Sequence, residues 1–282
     1  MAIITFTNEN TNETGQTLAA SAIATAMAIE HNYKILLIST DFENNSMEEC
    51  FFNNFKKRQV SVLQNEGRRS GDISGGLEGL IRLFASNRAS ADMIKSFARP
   101  VLKDRLDVLP ALKTTDIKEF NNLSVYFSQI AEIAKQAYDI VIVDLSNIVP
   151  KENQKKVINL STLVIVGLTQ KLASINNFIK TKQENDFYKK DNVAICIDKY
   201  NPESRYTAKN IARYLNEKNT PYAVPYNILF SDNCSEGTII DYILSIRTLN
   251  HKDGKDGYFY ECISSATESI DYKRKELEYG RV

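Results

Sequence analysis

Two kinds of apolar pattern alternate along the chain. Short, nearly unbroken apolar runs occupy residues 3–6, 33–39 (YKILLIS), 106–109, 139–144 (DIVIVD), 162–168, 192–197 and 222–224. Runs of this kind are expected where strands of a parallel sheet are covered on both faces. Between them lie longer stretches in which apolar residues recur every three or four positions, as on a helix with one buried face. Residues 17–31 carry Leu18, Ala22, Ala26 and Ile29 at that spacing, and residues 116–137 carry Phe120, Leu123, Phe127, Ile130 and Ala134. Residues 172–187, 204–216 and 258–279 read as further helices, and residues 42–105 as mostly helical around a looser part at 65–76 (NEGRRSGDISGG). Strand and helix alternate without hairpin signals. That order predicts an α/β fold of three layers, a doubly wound, mostly parallel sheet of seven or eight strands with helices on both faces.

Length and content fit one large domain over residues 1–250, followed by a polar linker at 251 (HKDGKDG) and a C-terminal helix packed on that domain or on a partner. At 282 residues and 43% hydrophobic content the chain buries a sizeable core. Its 35 basic residues balance 35 acidic ones, which disfavours a strongly basic nucleic-acid binder. Arg205, Lys209 and Arg213 form a basic stripe at helical spacing, a pattern that usually marks a solvated helix face. Cys50, Cys196, Cys234 and Cys262 are scattered without a C-x-x-C pair, so reduced thiols in a cytoplasm fit better than a zinc site. No apolar run approaches the ~18 residues of a membrane span and no leader pattern opens the chain.

Candidate chemistry concentrates at the first strand–loop–helix. A helix start leaves unpaired N–H groups and partial positive charge, so a loop feeding it can wrap an anion. A P-loop reads G-x-x-x-x-G-K-[ST]. Here its last three positions are Gly15, Gln16 and Thr17, so the lysine is replaced by glutamine, and the first glycine position is Asn10. Glu9 and Glu13 add negative charge, and no Lys or Arg lies between Ala2 and Tyr33. Asp41 follows the second strand, where open α/β sheets bind ligands. Asp144 ends an apolar strand in the manner of a Walker B aspartate beside magnesium.

Taken in order, these pieces resemble the MinD/ParA family of P-loop ATPases, and within it the CpaE/TadZ branch of pilus-assembly localisation proteins. The segments that carry the resemblance are TGQTLAASAIATAMAIEHNYKILLISTD at 14–41, YDIVIVDLS at 138–146, VAICIDKYNPESRYTAKNIARYL at 193–215, VPYN at 224–227, and Glu236-Gly237. The resemblance implies ATP or ADP with magnesium as cofactor, and a nucleotide site at Gly15, Gln16, Thr17, Leu18, Asp198 and Pro225. It makes Thr17 and Asp144 the metal-facing pair and Asp41 the carboxylate that positions the attacking water. It also implies a homodimer formed across that site, protein partners in a pilus or secretion apparatus, and collection at a cell pole.

Departures from the family pattern fall on the nucleotide chemistry. The two loop lysines of the family correspond to Thr11 and Gln16, its first aspartate after strand two to Ser39, and its adenine-reading asparagine to Asp198. A charge-assisted hydrogen bond to phosphate contributes about 1.5–3 kcal/mol, against roughly 8 kcal/mol for a micromolar site. The expectation is therefore a scaffold or localisation factor with nucleotide binding and hydrolysis weak or lost. The alternatives are an ATP-dependent dimerisation switch, with Arg68, Arg69 or a partner chain replacing the lysine, and a ParA-like nucleoid binder. The C-terminal helix has one apolar stripe, but its acidic residues outnumber its basic ones, so direct membrane binding is disfavoured.

Overall fold

Alternating side chains of each central strand point to opposite helix layers, which is why the strands are apolar throughout. In β1 (Ala2–Thr7) every residue is buried; Ile3 joins one core, and Ile4 and Phe6 join the other. The same division holds in β2 (Ile35–Ser39), where Leu36 and Ile38 face one layer and Ile35 and Leu37 the other. The computed structural model describes residues 1–8, 14–42, 46–52, 76–86 and 88–280. The segment with Arg68 and Arg69 lies outside the described residues, as do Asn10, Thr11 and both loop glutamates.

After α1 (Gln16–Glu30) and β2, the chain forms α2 (Ser46–Phe51), α3 (Leu77–Ala85) and α4 (Ala91–Phe97). A strand pair follows, β3 (Arg99–Leu102) and β4 (Leu106–Leu109), then α5 (Ile117–Leu123), α6 (Phe127–Ala134) and β5 (Ile140–Asp144). Next come α7 (Lys151–Leu160), β6 (Leu163–Leu168), α8 (Leu172–Glu184), β7 (Val193–Tyr200) and α9 (Ala208–Leu215). The chain finishes with β8 (Tyr222–Pro225), α10 (Ile228–Glu236), α11 (Ile239–Ile246) and α12 (Gly254–Tyr279). The eight-stranded sheet has the order β3-β4-β2-β5-β1-β6-β7-β8. Every pairing is parallel except β3 with β4. The doubly wound α/β architecture expected from the apolar pattern is therefore present.

Several element boundaries differ from expectation, each for a local reason. The β3–β4 hairpin was not foreseen; Asp104 takes the left-handed conformation (φ 60°) at its turn, which Asp tolerates better than most residues. Residues 116–137 do not form one helix, because a 3-10 turn at Ser124–Tyr126 separates α5 from α6. Helix α9 begins at Ala208, capped by Thr207, whose side chain accepts from the Asn210 N–H. Arg205 therefore precedes the helix, and the three-residue basic stripe is not continuous.

The polar sequence at 251 is the start of a helix rather than a linker. Asn250 and Asp253 form a capping box, and α12 runs on from Gly254. A Cβ on Gly257 would lie 1.9 Å from the Asn250 carbonyl oxygen, so the glycine permits that close approach. Phe259, Ile263, Ala266 and Ile270 are buried, and α12 packs on α1, α11 and β8.

Candidate functional site

The carboxyl ends of β1, β2, β5 and β7 converge on the start of α1. Gly15 adopts a positive φ of 94° immediately before that helix, which favours glycine. Gln16 is 5% exposed and its side chain is turned into the sheet. Its Nε2 donates to the Asp144 carboxylate at 2.5 Å, and to the carbonyls of Phe6 and Leu145, each at 3.2 Å. Its Oε1 accepts from Asn8 Nδ2 at 2.6 Å. Thr17 Oγ1 donates to the other Asp144 oxygen at 2.7 Å. Thr40 ties the ends of β2 and β5 together: its hydroxyl donates to the Asp144 carbonyl at 3.0 Å and accepts from the Ser146 N–H at 2.8 Å.

Burial governs the electrostatics here. Asp144 is pushed up to about 6 by loss of water, which the hydrogen bonds from Thr17 and Gln16 partly offset and the nearby Asp41 charge reinforces. Asp41 is partly buried beyond the end of β2. Asp198, 1% exposed, lies deeper. Neither of its oxygens has a nitrogen or oxygen donor, and burial pushes it up to about 8, which the Cys196 thiol partly offsets and the Asp144 charge reinforces. A Cβ on Gly167 would sit 2.3 Å from Asp198 Oδ2, so that glycine makes the space for the carboxyl.

Thus Gly15, Gln16, Thr17 and Asp144 form one contact group, with Asp41 and Asp198 beside it. Leu18 packs against the core on the α1 side of the sheet. Pro225 ends β8, paired with Tyr200 on the edge of the sheet. Sequence reasoning did not single out Asn8, Thr40, Gly167 or Lys199. Lys199 holds a left-handed backbone (φ 52°), and a Cβ on Gly15 would lie 2.9 Å from its Cγ and 3.2 Å from its Cε. A lone cation ending the apolar run of β7 was the signal for it.

No protein-family model and no curated protein matches the chain. Solved structures do. A ParA family ATPase from Chlorobium tepidum superposes with a TM-score of 0.69 at 14% identity, covering 95% of this chain and 98% of that one. MinD from Pyrococcus horikoshii, complexed with Mg-ADP, gives 0.62 at 13% identity, covering 96% of each chain. The MinC:MinD cell division complex of Aquifex aeolicus gives 0.61 at 15%, again covering 96% of each. The fold is that of the MinD and ParA ATPases.

A MinD/ParA fold implies nucleotide with magnesium, and the side chains present meet that requirement in part. The Thr17 hydroxyl and the Asp144 carboxylate are the oxygen donors that a hard cation takes, and they are in contact. The lysine position does not fit. A neutral amide stands there, engaged by a carboxylate and two main-chain carbonyls. An amide carries no charge to offset a triphosphate, and phosphoryl transfer relies on such cations. Among the described residues, the amide of Gln16 does not supply that charge.

Proposed function

We propose that this chain is a MinD/ParA-fold scaffold or localisation factor of the CpaE/TadZ type, serving a pilus or secretion machine through protein contacts, with nucleotide binding and hydrolysis weak or lost. The observation that carries the reading is Gln16, whose side chain bonds Asp144 and the carbonyls of Phe6 and Leu145 where a P-loop carries its lysine. In this reading the protein works in the cytoplasm as a homodimer formed across the loop, and partners recruit it to a pole. Among the described residues no helix is long and apolar enough to cross a membrane.

A steady-state phosphate-release assay with ATP and magnesium tests the proposal. The expected turnover is background, unchanged by Asp41→Ala, while Gln16→Lys with Thr11→Lys and Glu13→Gly raises ATP affinity measured by calorimetry. A magnesium-dependent rate abolished by Asp41→Ala overturns the scaffold reading. One observation favours the second reading, an ATP-dependent dimerisation switch. The stem of Lys199 lies across Gly15, which brings an ammonium from β7 towards the loop. Under that reading the natural protein binds ATP, and Lys199→Gln removes the binding.

A further inference from the structure

The far edge of the sheet carries a feature unrelated to the loop. Strand β8 is last in the sheet order and pairs only with β7 among the described residues. Beside it two cavities of about 620 and 430 Å³ share Thr220, Pro221, Tyr222 and Ser269. Together they make one slot between β8 and α12. The smaller cavity reaches Ala208 at the start of α9 on one side and Tyr258 and Cys262 of α12 on the other. The slot therefore opens beyond the β8 edge, between the two helix layers.

Its charge is one-sided. Four carboxylates line it, Glu217, Glu261, Glu268 and Glu276, against one cation, Lys273. Glu276 is paired with Lys273, and Glu217 with Lys182. Glu261 and Glu268 have no ion pair among the described residues, and one oxygen of Glu261 accepts from the His251 N–H at 3.0 Å. Both are exposed on α12, seven residues or about 10.5 Å apart along the helix axis. Tyr258 and Tyr272 also line the slot, and Tyr272 is 74% exposed. Such rings offer faces to a guanidinium. Pro221 and Pro225 flank the centre of β8 and have no N–H to give, so the edge is poorly equipped to extend the sheet with another strand. An occupant is then held by its side chains.

We propose that this slot docks an extended segment of a partner protein bearing two arginines three residues apart. A polyproline-type conformation needs no ladder of backbone hydrogen bonds, and it places every third side chain on one face at intervals of about 9.3 Å. That interval fits the separation of Glu261 and Glu268. The proposal is independent of whether the loop binds nucleotide.

The test uses the full chain and the fluorescently labelled peptide Ala-Pro-Arg-Pro-Ala-Arg-Pro-Ala, followed by anisotropy. Saturable binding is expected, weaker at high salt because the charges are exposed. Glu261→Gln with Glu268→Gln should weaken it about tenfold, or about 1.4 kcal/mol, within the range of two exposed ion pairs. Glu132→Gln, exposed on α6 and absent from the slot's lining, should leave it unchanged. Hydrogen exchange on the complex should slow at residues 219–223 and along α12. Absence of saturable binding, equal binding of the peptide with both arginines changed to glutamate, an unchanged affinity in the double variant, or protection elsewhere would each overturn the proposal. If the double variant instead dissociates a dimer that the peptide also dissociates, the slot is an interface between copies and the partner proposal falls.

Discussion

Asp198 is a carboxylic acid closed off from water, with no nitrogen or oxygen donor to hold its charge. Its folded pKa of about 8 stands well above the ordinary value of 3.8. The folded chain therefore keeps a proton that the unfolded chain releases, and stability falls as pH rises from about 4 through about 8. Asn fills the same shape without the charge, so Asp198→Asn should stabilise the protein relative to the natural chain, by little near pH 5 and increasingly towards pH 9. Urea denaturation across that range measures the gap; a difference independent of pH would show that the carboxyl is not held neutral. Asp144 acts in the same direction more weakly, since Thr17 and Gln16 donate to it. The two residues show what sequence could and could not say at this scale. A position matching a family asparagine can be read from order alone, whereas its protonation depends on packing brought from β6 and β7.

At the scale of elements, α12 is held by more than its apolar stripe. Arg274 is 4% exposed, and its guanidinium bonds Asp271 through Nε at 3.0 Å and Nη2 at 2.6 Å. It also donates to the Tyr33 hydroxyl at 3.1 Å and to Glu278, and Glu278 in turn meets the amino terminus. The end of α12 is thereby tied to the segment between α1 and β2. Removing Asp271 leaves Arg274 its Glu278 partner but takes away a charge-assisted hydrogen-bonded contact at a buried guanidinium, which costs about 1.5–3 kcal/mol. Asp271→Ala should lower stability by that order in chemical denaturation, and deletion of residues 258–282 by more. Neither change should alter recovery with liposomes in flotation. A stable truncated chain, or flotation that depends on α12, would show that the helix is not a structural part of this domain. The apolar period of α12 was legible in the sequence. Its start was not, because the capping box and the Gly257 contact form only once the turn has closed. The β3–β4 hairpin was obscured in the same way by a short, charged turn, and α7, α10 and α11 went unread because no long apolar period marks them.

Across the whole molecule, the doubly wound, mostly parallel architecture follows from strand–helix alternation and right-handed crossovers, whereas the strand order, with β5 between β1 and β2, is not fixed by the apolar pattern. The site was legible only as positions. Gly15, Thr17, Asp41 and Asp144 lie at strand ends that converge, but the inward turn of Gln16 depends on acceptors from β1 and β5, far away in the chain. One surface feature bears on assembly. Tyr226, Ile228 and Leu229 are 60%, 60% and 51% exposed where β8 passes into α10, beyond the same carboxyl-terminal end of the sheet as the loop. Their neighbour Phe230 is buried and Asn227 caps the helix, so the backbone there is fixed and the apolar side chains are presented outward. Large apolar groups clustered at one surface mark contact sites. If copies pair across the loop, these residues become buried without any need for nucleotide. Sedimentation should then show a concentration-dependent dimer in the absence of ATP. Ile228→Glu with Leu229→Glu should weaken it at least tenfold while the melting temperature of the monomer stays close to that of the natural chain. A natural chain that stays monomeric at all concentrations, or a dimer indifferent to both charges, would remove the face-to-face assembly from the proposed function.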